Sequence, residues 1–139
     1  MSANDACNDI VDAAIGFAEQ RLVQHGEFFP YGARMLDDGK IEFVVVERED
    51  DRPASDAEIA ELRETLSAQA RAGEIAACGI FYDVKTRLPD TGEPADAIAV
   101  ALDHHDDHSI IALLPYQVVG DQIAYAPTFA QAGEGAIFP

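Results

Sequence analysis

Apolar and polar positions along this chain change their period several times, and each change marks an element. From about Asp5 to His25, on a wheel of about 100° per residue, Val11, Ile15, Ala18 and Leu22 fall on one stripe, flanked by Ile10, Ala14 and Phe17. Asp9, Asp12, Glu19 and Gln20 take the opposite side. That spacing predicts an amphipathic helix, stopped by Gly26, with His25 at the negative end of its dipole. Glu27-Phe28-Phe29-Pro30-Tyr31-Gly32 cannot prolong the helix, because a proline drives the preceding residue into extended backbone. Its aromatics are expected to plug the core at the helix–strand junction rather than to form a surface patch.

Alternation with a period of two takes over from Tyr31 to Val45. With Asp37-Asp38-Gly39 as a three-residue loop whose glycine takes positive φ, Met35 pairs with Ile41, Ala33 with Phe43, Tyr31 with Val45 and Arg34 with Glu42. A two-residue loop would set Met35 against Glu42 and Arg34 against Phe43, so cross-strand pairing selects the first register. The charged segment from Glu47 to Pro53 reads as a linker, and Ser55-Asp56-Ala57-Glu58 as a capping box that opens a second helix. That helix has a thinner apolar stripe, Ala57, Ile59, Leu62, Leu66 and Ala70, and ends before Gly73.

A strand is predicted from Ile75 to about Thr86, with Ile80, Tyr82 and Val84 on one face and Asp83 and Lys85 on the other. Arg87 to Pro94 has the composition of a surface loop. Ala97–Leu102 and Ile110–Leu114 are apolar runs too short for helices, and they predict two buried strands folded back as an antiparallel hairpin. Gly120 suits a turn before Ile123–Tyr125, and the glycine-rich tail closes on Ala136-Ile137-Phe138, an apolar end expected to dock. The order is helix, two strands, helix, three or four strands. It predicts an α+β fold: a single antiparallel sheet of five to six strands with two helices packed on one face. At 139 residues the chain is expected to be a single domain, 1–139.

Charge narrows the partners. With 26 acidic against 9 basic residues, the formal net charge is -17. A nucleic-acid backbone or an anionic membrane surface would repel such a chain, whereas solubility, a basic protein partner or bound cations are all compatible with it. Cys7 and Cys78 are far apart and in no metal-like spacing, so reduced thiols and a cytoplasmic location are expected. The opening MSANDACNDIVDAA lacks the basic and apolar regions of a signal peptide, and no run is long enough to span a bilayer.

One stretch offers chemistry: Asp103-His104-His105-Asp106-Asp107-His108. If Asp106-Asp107 is a two-residue hairpin loop, His105 faces His108, and Asp103 shares their side of the sheet. Facing residues have Cβ atoms about 5 Å apart, and two imidazoles with a carboxylate are the ligands of many zinc and non-haem iron sites. Asp103, His105 and His108 are therefore the candidate metal ligands, for zinc or another divalent ion. The opposing reading is a solvated polar tip. The loop lacks the Gly or Asn that a type I′ turn favours, and a slip of one residue would part the ligands onto opposite faces. The signatures G-x-S-x-G, G-x-G-x-x-G, the P-loop and C-x-x-C do not occur.

In element order the chain is similar to profilin-like and roadblock-like domains, a likeness that implies nothing about activity. At the residue level, GEFFPYG (Gly26–Gly32), DAIAVALDH (Asp96–His104), LLPY (Leu113–Tyr116) and FAQAG (Phe129–Gly133) resemble a set of small, acidic bacterial proteins without an assigned activity. That resemblance implies a bacterial origin and one domain, and brings no catalytic residues. The expectation is a non-catalytic, acidic cytoplasmic module that binds a basic protein, or that forms a homodimer along an uncovered strand edge. The alternative is a metal-binding protein or metal-dependent enzyme using the 103–108 hairpin tip.

Overall fold

The first helix, α1 (Ala3–His25), stops where its sequence demands: Gly26 takes a φ of 74°, and its N–H donates to the Leu22 carbonyl at 2.9 Å. This computed structural model describes residues 3–45, 55–106, 108–133, 135, 137 and 138, with backbone alone at 55 and 56. The segment predicted as a charged linker, Glu47 to Pro53, lies outside the described residues, as does the Ser55 side chain of the expected capping box. The buried stripe of α1 runs through Ala6, Cys7, Ile10, Ala14, Ala18 and Leu22. It is rotated from the predicted centre toward the flanking residues, leaving Val11 and Ile15 partly buried.

β1 (Tyr31–Leu36) and β2 (Ile41–Val44) form the expected hairpin, with Met35 opposite Ile41, Arg34 opposite Glu42 and Ala33 opposite Phe43. The ladder ends at Gly32–Val44, one pair short of Tyr31 and Val45. Gly39 carries the positive φ the loop requires, 90°. α2 (Ser55–Arg71) ends in a Schellman arrangement, in which Gly73 donates to the Ala70 carbonyl and Glu74 to that of Gln69. On α2 the stripe begins at Glu58, which is buried, while Ala57 is exposed.

β3 (Ile75–Arg87), β4 (Pro94–His104), β5 (His108–Val119), β6 (Gln122–Tyr125) and β7 (Phe129–Ala132) complete the described strands. All seven join one antiparallel sheet in the order β2-β1-β3-β4-β5-β6, with β7 on β5. The α+β class and the single sheet are as predicted, and β7 is a strand beyond the expected count, drawn from the glycine-rich tail. β7 and β6 share the outer edge of β5, pairing with Ile110–Leu113 and Tyr116–Val119 respectively. Pro115 lies at the break. Its carbonyl accepts from Ala126 N at 3.0 Å across this edge, so the N–H that proline lacks would have pointed to the same side.

The two helices do not share a face. Tyr31, Ala33, Phe81, Ile98 and Val100 cluster with Ile10, Ala14 and Leu22 of α1, whereas Cys78 and Ile80 cluster with Leu62, Leu66 and Ala70 of α2. Neighbouring residues of a strand point to opposite sides, so α1 and α2 cover opposite faces. The predicted arrangement of both helices on one face is thus corrected. Its physical cause is two-sided burial of the middle strands: Ala97, Ile98, Ala99 and Val100 are each at most 1% exposed. Close approach is possible because glycine stands beneath each helix. A Cβ on Gly79 would come within 3.1 Å of Ile10 Cγ2, and one on Gly32 within 3.4 Å of Leu62 Cδ2. Under α1, Tyr31 stacks on Phe81 at 4.8 Å, and its hydroxyl donates to the Ala14 carbonyl at 2.7 Å.

The tail docks as expected, but on the α2 side: Ile137 is buried there with Phe138 packed nearby. Gly133 N donates to Ser109 O at 3.1 Å, and a Cβ on Gly133 would overlap the Ser109 hydroxyl.

Because Ile10 and Leu66 lie on opposite sides of the sheet, Ile10→Ala and Leu66→Ala should each cost about 2–5 kcal/mol. Their sum should match the double variant within about 0.5 kcal/mol. Urea unfolding of the three variants measures this, and a coupling energy well above that margin would contradict the two-faced arrangement.

Candidate functional site

The β4–β5 hairpin ends one residue away from its predicted register. His104 pairs with His108, Asp103 with Ser109 and Leu102 with Ile110. The predicted pairs, His105 with His108 and Asp103 with Ile110, do not form. Both registers match apolar residues along the strands, so the ends decide. The observed one sets Asp103 against Ser109 instead of against an isoleucine, and β3 holds it through His105 N, which donates to the Ala76 carbonyl at 3.0 Å.

The shift redistributes the candidate ligands. Asp103 sits opposite Cys78 and Ser109 on the α2 side, 8% exposed, beside a cavity of about 20 Å³ that Arg63, Ile80 and Ile137 also line. His104 and His108 belong to the α1 side of the ladder, and His105 lies just beyond it at the exposed tip. Asp103, His105 and His108 are therefore not brought together. The residues that do converge are His104, His105 and Asp106, whose donor atoms all lie within 4.8 Å of one another. The Asp106 amide donates to His104 Nδ1 at 3.1 Å, while Asp106 Oδ1 lies 3.0 Å from His105 Nδ1. The two imidazoles stack with centroids 4.3 Å apart. Burial, and then the neighbouring His105, hold the His104 imidazole below its ordinary range.

A second polar site went unnoticed in the sequence. Beyond the C-terminal end of α1, Glu27, Asp83, Lys85, Asp96 and Tyr116 line an open cleft of about 300 Å³. The Tyr116 hydroxyl donates to Asp83 Oδ1 at 2.9 Å, and Lys85 Nζ lies 3.1 Å from Asp96 Oδ1. Asp83 is exposed, but partial desolvation of its carboxyl raises it above its usual range despite the Tyr116 hydrogen bond, which favours the charged form. The signal was present: Asp83 follows Ala77, Gly79 and Phe81 in the row of β3 that faces α1.

Large apolar side chains are exposed at both edges of the sheet. Phe29, Phe43 and Val45 surround the β1–β2 edge, 38%, 48% and 67% exposed. Phe43 lies 6.0 Å from Phe17 and 6.1 Å from Tyr31, so this patch continues directly into the core. Val118, Val119 and Tyr125 are exposed at the β5–β6 end, with Val118 and Val119 on opposite faces of the sheet. Of the aromatics expected as a plug, Phe28 and Tyr31 are buried and Phe29 is at the surface. Among the described residues, no helix is long and apolar enough to cross a membrane.

No family model, no curated protein and no solved structure matches this chain.

Cys7 and Cys78 are free and buried, and burial raises both thiols, Cys7 to about 11 and Cys78 further. Both should resist alkylation in the folded protein at pH 8 and react promptly in guanidinium. Fast modification of the native protein would contradict this burial. For Asp83 the sign follows from a raised folded pKa. The unfolded chain releases this proton first, so stability declines as pH rises from the ordinary aspartate range through the folded pKa. Asp83→Asn, whose amide oxygen can still accept from Tyr116, should raise the Tm at pH 7 only slightly, because solvent screens so exposed a group, and lose that advantage in acid below the ordinary aspartate range. A lower Tm at pH 7 would show that the charge is stabilising.

Proposed function

We propose that this protein is a non-catalytic interaction module of the bacterial cytoplasm that binds a basic protein through the apolar patch at the β1–β2 edge. The observation that carries the reading is Phe29, Phe43 and Val45 left exposed together on a chain of net charge -17. Aromatic anchors supply binding energy when a partner covers them, and a strongly acidic surface steers a basic partner while repelling nucleic acid and anionic membrane. Among the described residues β2 is the edge strand of the sheet, and an edge offers backbone groups to a partner. Two buried free thiols suit a reducing compartment. A homodimer built on the same edge is the competing occupant, and sedimentation over a range of concentrations separates the two.

Immobilised wild-type protein and a Phe43→Ser/Val45→Ser variant, incubated with native bacterial lysate, test the proposal. A basic protein should be retained by the wild type at low ionic strength and released as screening increases toward about 0.5 M salt. With that partner purified, the variant should bind about 1.4–2.8 kcal/mol more weakly, roughly ten- to a hundredfold in Kd. Retention that ignores both salt and the substitutions would refute the reading.

A further inference from the structure

The end of the β4–β5 hairpin gathers imidazoles in a way the interaction reading does not use. Three of the chain's four histidines stand within residues 104–108, and the fold converges two of them on one carboxylate. Asp106 Oδ1 lies 3.0 Å from His105 Nδ1 and Oδ2 lies 3.8 Å from His104 Nδ1, so this carboxylate bridges both rings. His104 is 5% exposed and anchored in the ladder, while His105 and Asp106 are exposed and free to adjust. Opposite His104, His108 carries a buried ring nitrogen, Nε2, that makes no hydrogen bond among the described residues and stays outside this converging group.

We propose that His104, His105 and Asp106 bind a divalent transition ion of the zinc class, with water as the fourth donor. Two imidazoles and a carboxylate, completed by water, are a donor set that such an ion accepts in tetrahedral geometry, whereas magnesium and calcium take oxygen ligands. At tetrahedral angles, zinc–ligand distances of about 2.0–2.2 Å set two donors roughly 3.3–3.6 Å apart. The present limit of 4.8 Å therefore has to close by roughly an ångström or more, which rotation of the two exposed side chains, His105 and Asp106, supplies. The ion takes the place of the Asp106 amide at His104 Nδ1, and water at the exposed turn can satisfy that N–H. The site differs from the one expected from sequence because the register moved Asp103 to the other face and brought His104 in.

The test is calorimetric titration of the full chain, stripped with EDTA, with zinc and in parallel with magnesium. One zinc per chain should bind, with no saturable magnesium heat, and the Tm should rise with zinc by mass action. His105→Ala and Asp106→Asn should each weaken zinc at least about tenfold, the low end of what losing a supporting partner costs a metal site. His25→Ala, on the last residue of α1, should leave it unchanged. Absence of one-to-one zinc binding, unchanged affinity in either variant, or equal loss in His25→Ala overturns the proposal.

Discussion

Burial of β3 and β4 on both faces is the constraint from which the rest of the structure follows. Alternate residues of β4 point in opposite directions, yet Ala97, Ile98, Ala99 and Val100 are all excluded from water. A sheet covered on one side alone would leave half of that run wet, so cover must come from both sides. α1 supplies it over Ile98, Val100 and Leu102. On the other face the work is divided: α2 covers Cys78 and Ile80 beside the tail residue Ile137, and Ala97 and Ala99 pack with Leu113, near Phe129 of β7. Fully burying one large aliphatic side chain is worth about 1.5–3 kcal/mol, and several sit on each face. Neither layer is dispensable.

The same demand explains the glycines and the tail. Helices of this girth reach the sheet closely only where side chains are small, which is why Ala6, Ala14 and Ala18 line α1 and Gly79 lies opposite Ile10. Gly133 permits a similar approach to Ser109, so a segment with little apolar content of its own is held against β5 by hydrogen bonds to Ser109 O and Oγ. Pro115 divides the outer edge of β5 between β6 and β7, limiting each to a short strand.

Most charge is kept outside this frame, with Glu58 and Asp103 the buried carboxylates among the described residues. Arg34 with Glu42 and Lys85 with Asp96 pair across adjacent strands at 2.7 and 3.1 Å, but solvent reaches both pairs, so each contributes little. The excess of carboxylates over cations means that the protein's long-range field is acidic whatever these pairs do. Both polar concentrations, the His104–Asp106 cluster and the Asp83–Tyr116 cleft, lie where strands run past the helical cover. There side chains can be partly desolvated without being sealed in.

Local chemistry by itself determined the ends of α1 and α2, the β1–β2 register and the existence of the β4–β5 hairpin. Gly26, Gly73 and Gly39 answer to backbone geometry, and Arg34 against Glu42 leaves one sensible pairing. The unbroken apolar run from Ala97 to Leu102 also carried the news of two-sided burial, since a one-sided strand alternates. Tertiary structure alone decided the hairpin's register, because Ile110, Ile111 and Leu113 offer equally apolar partners in either alignment, and β3 fixes the choice through Ala76 and His105. That single-residue difference settles which histidines meet Asp106 and which side receives Asp103, for in a sheet the face of a side chain is the parity of its register.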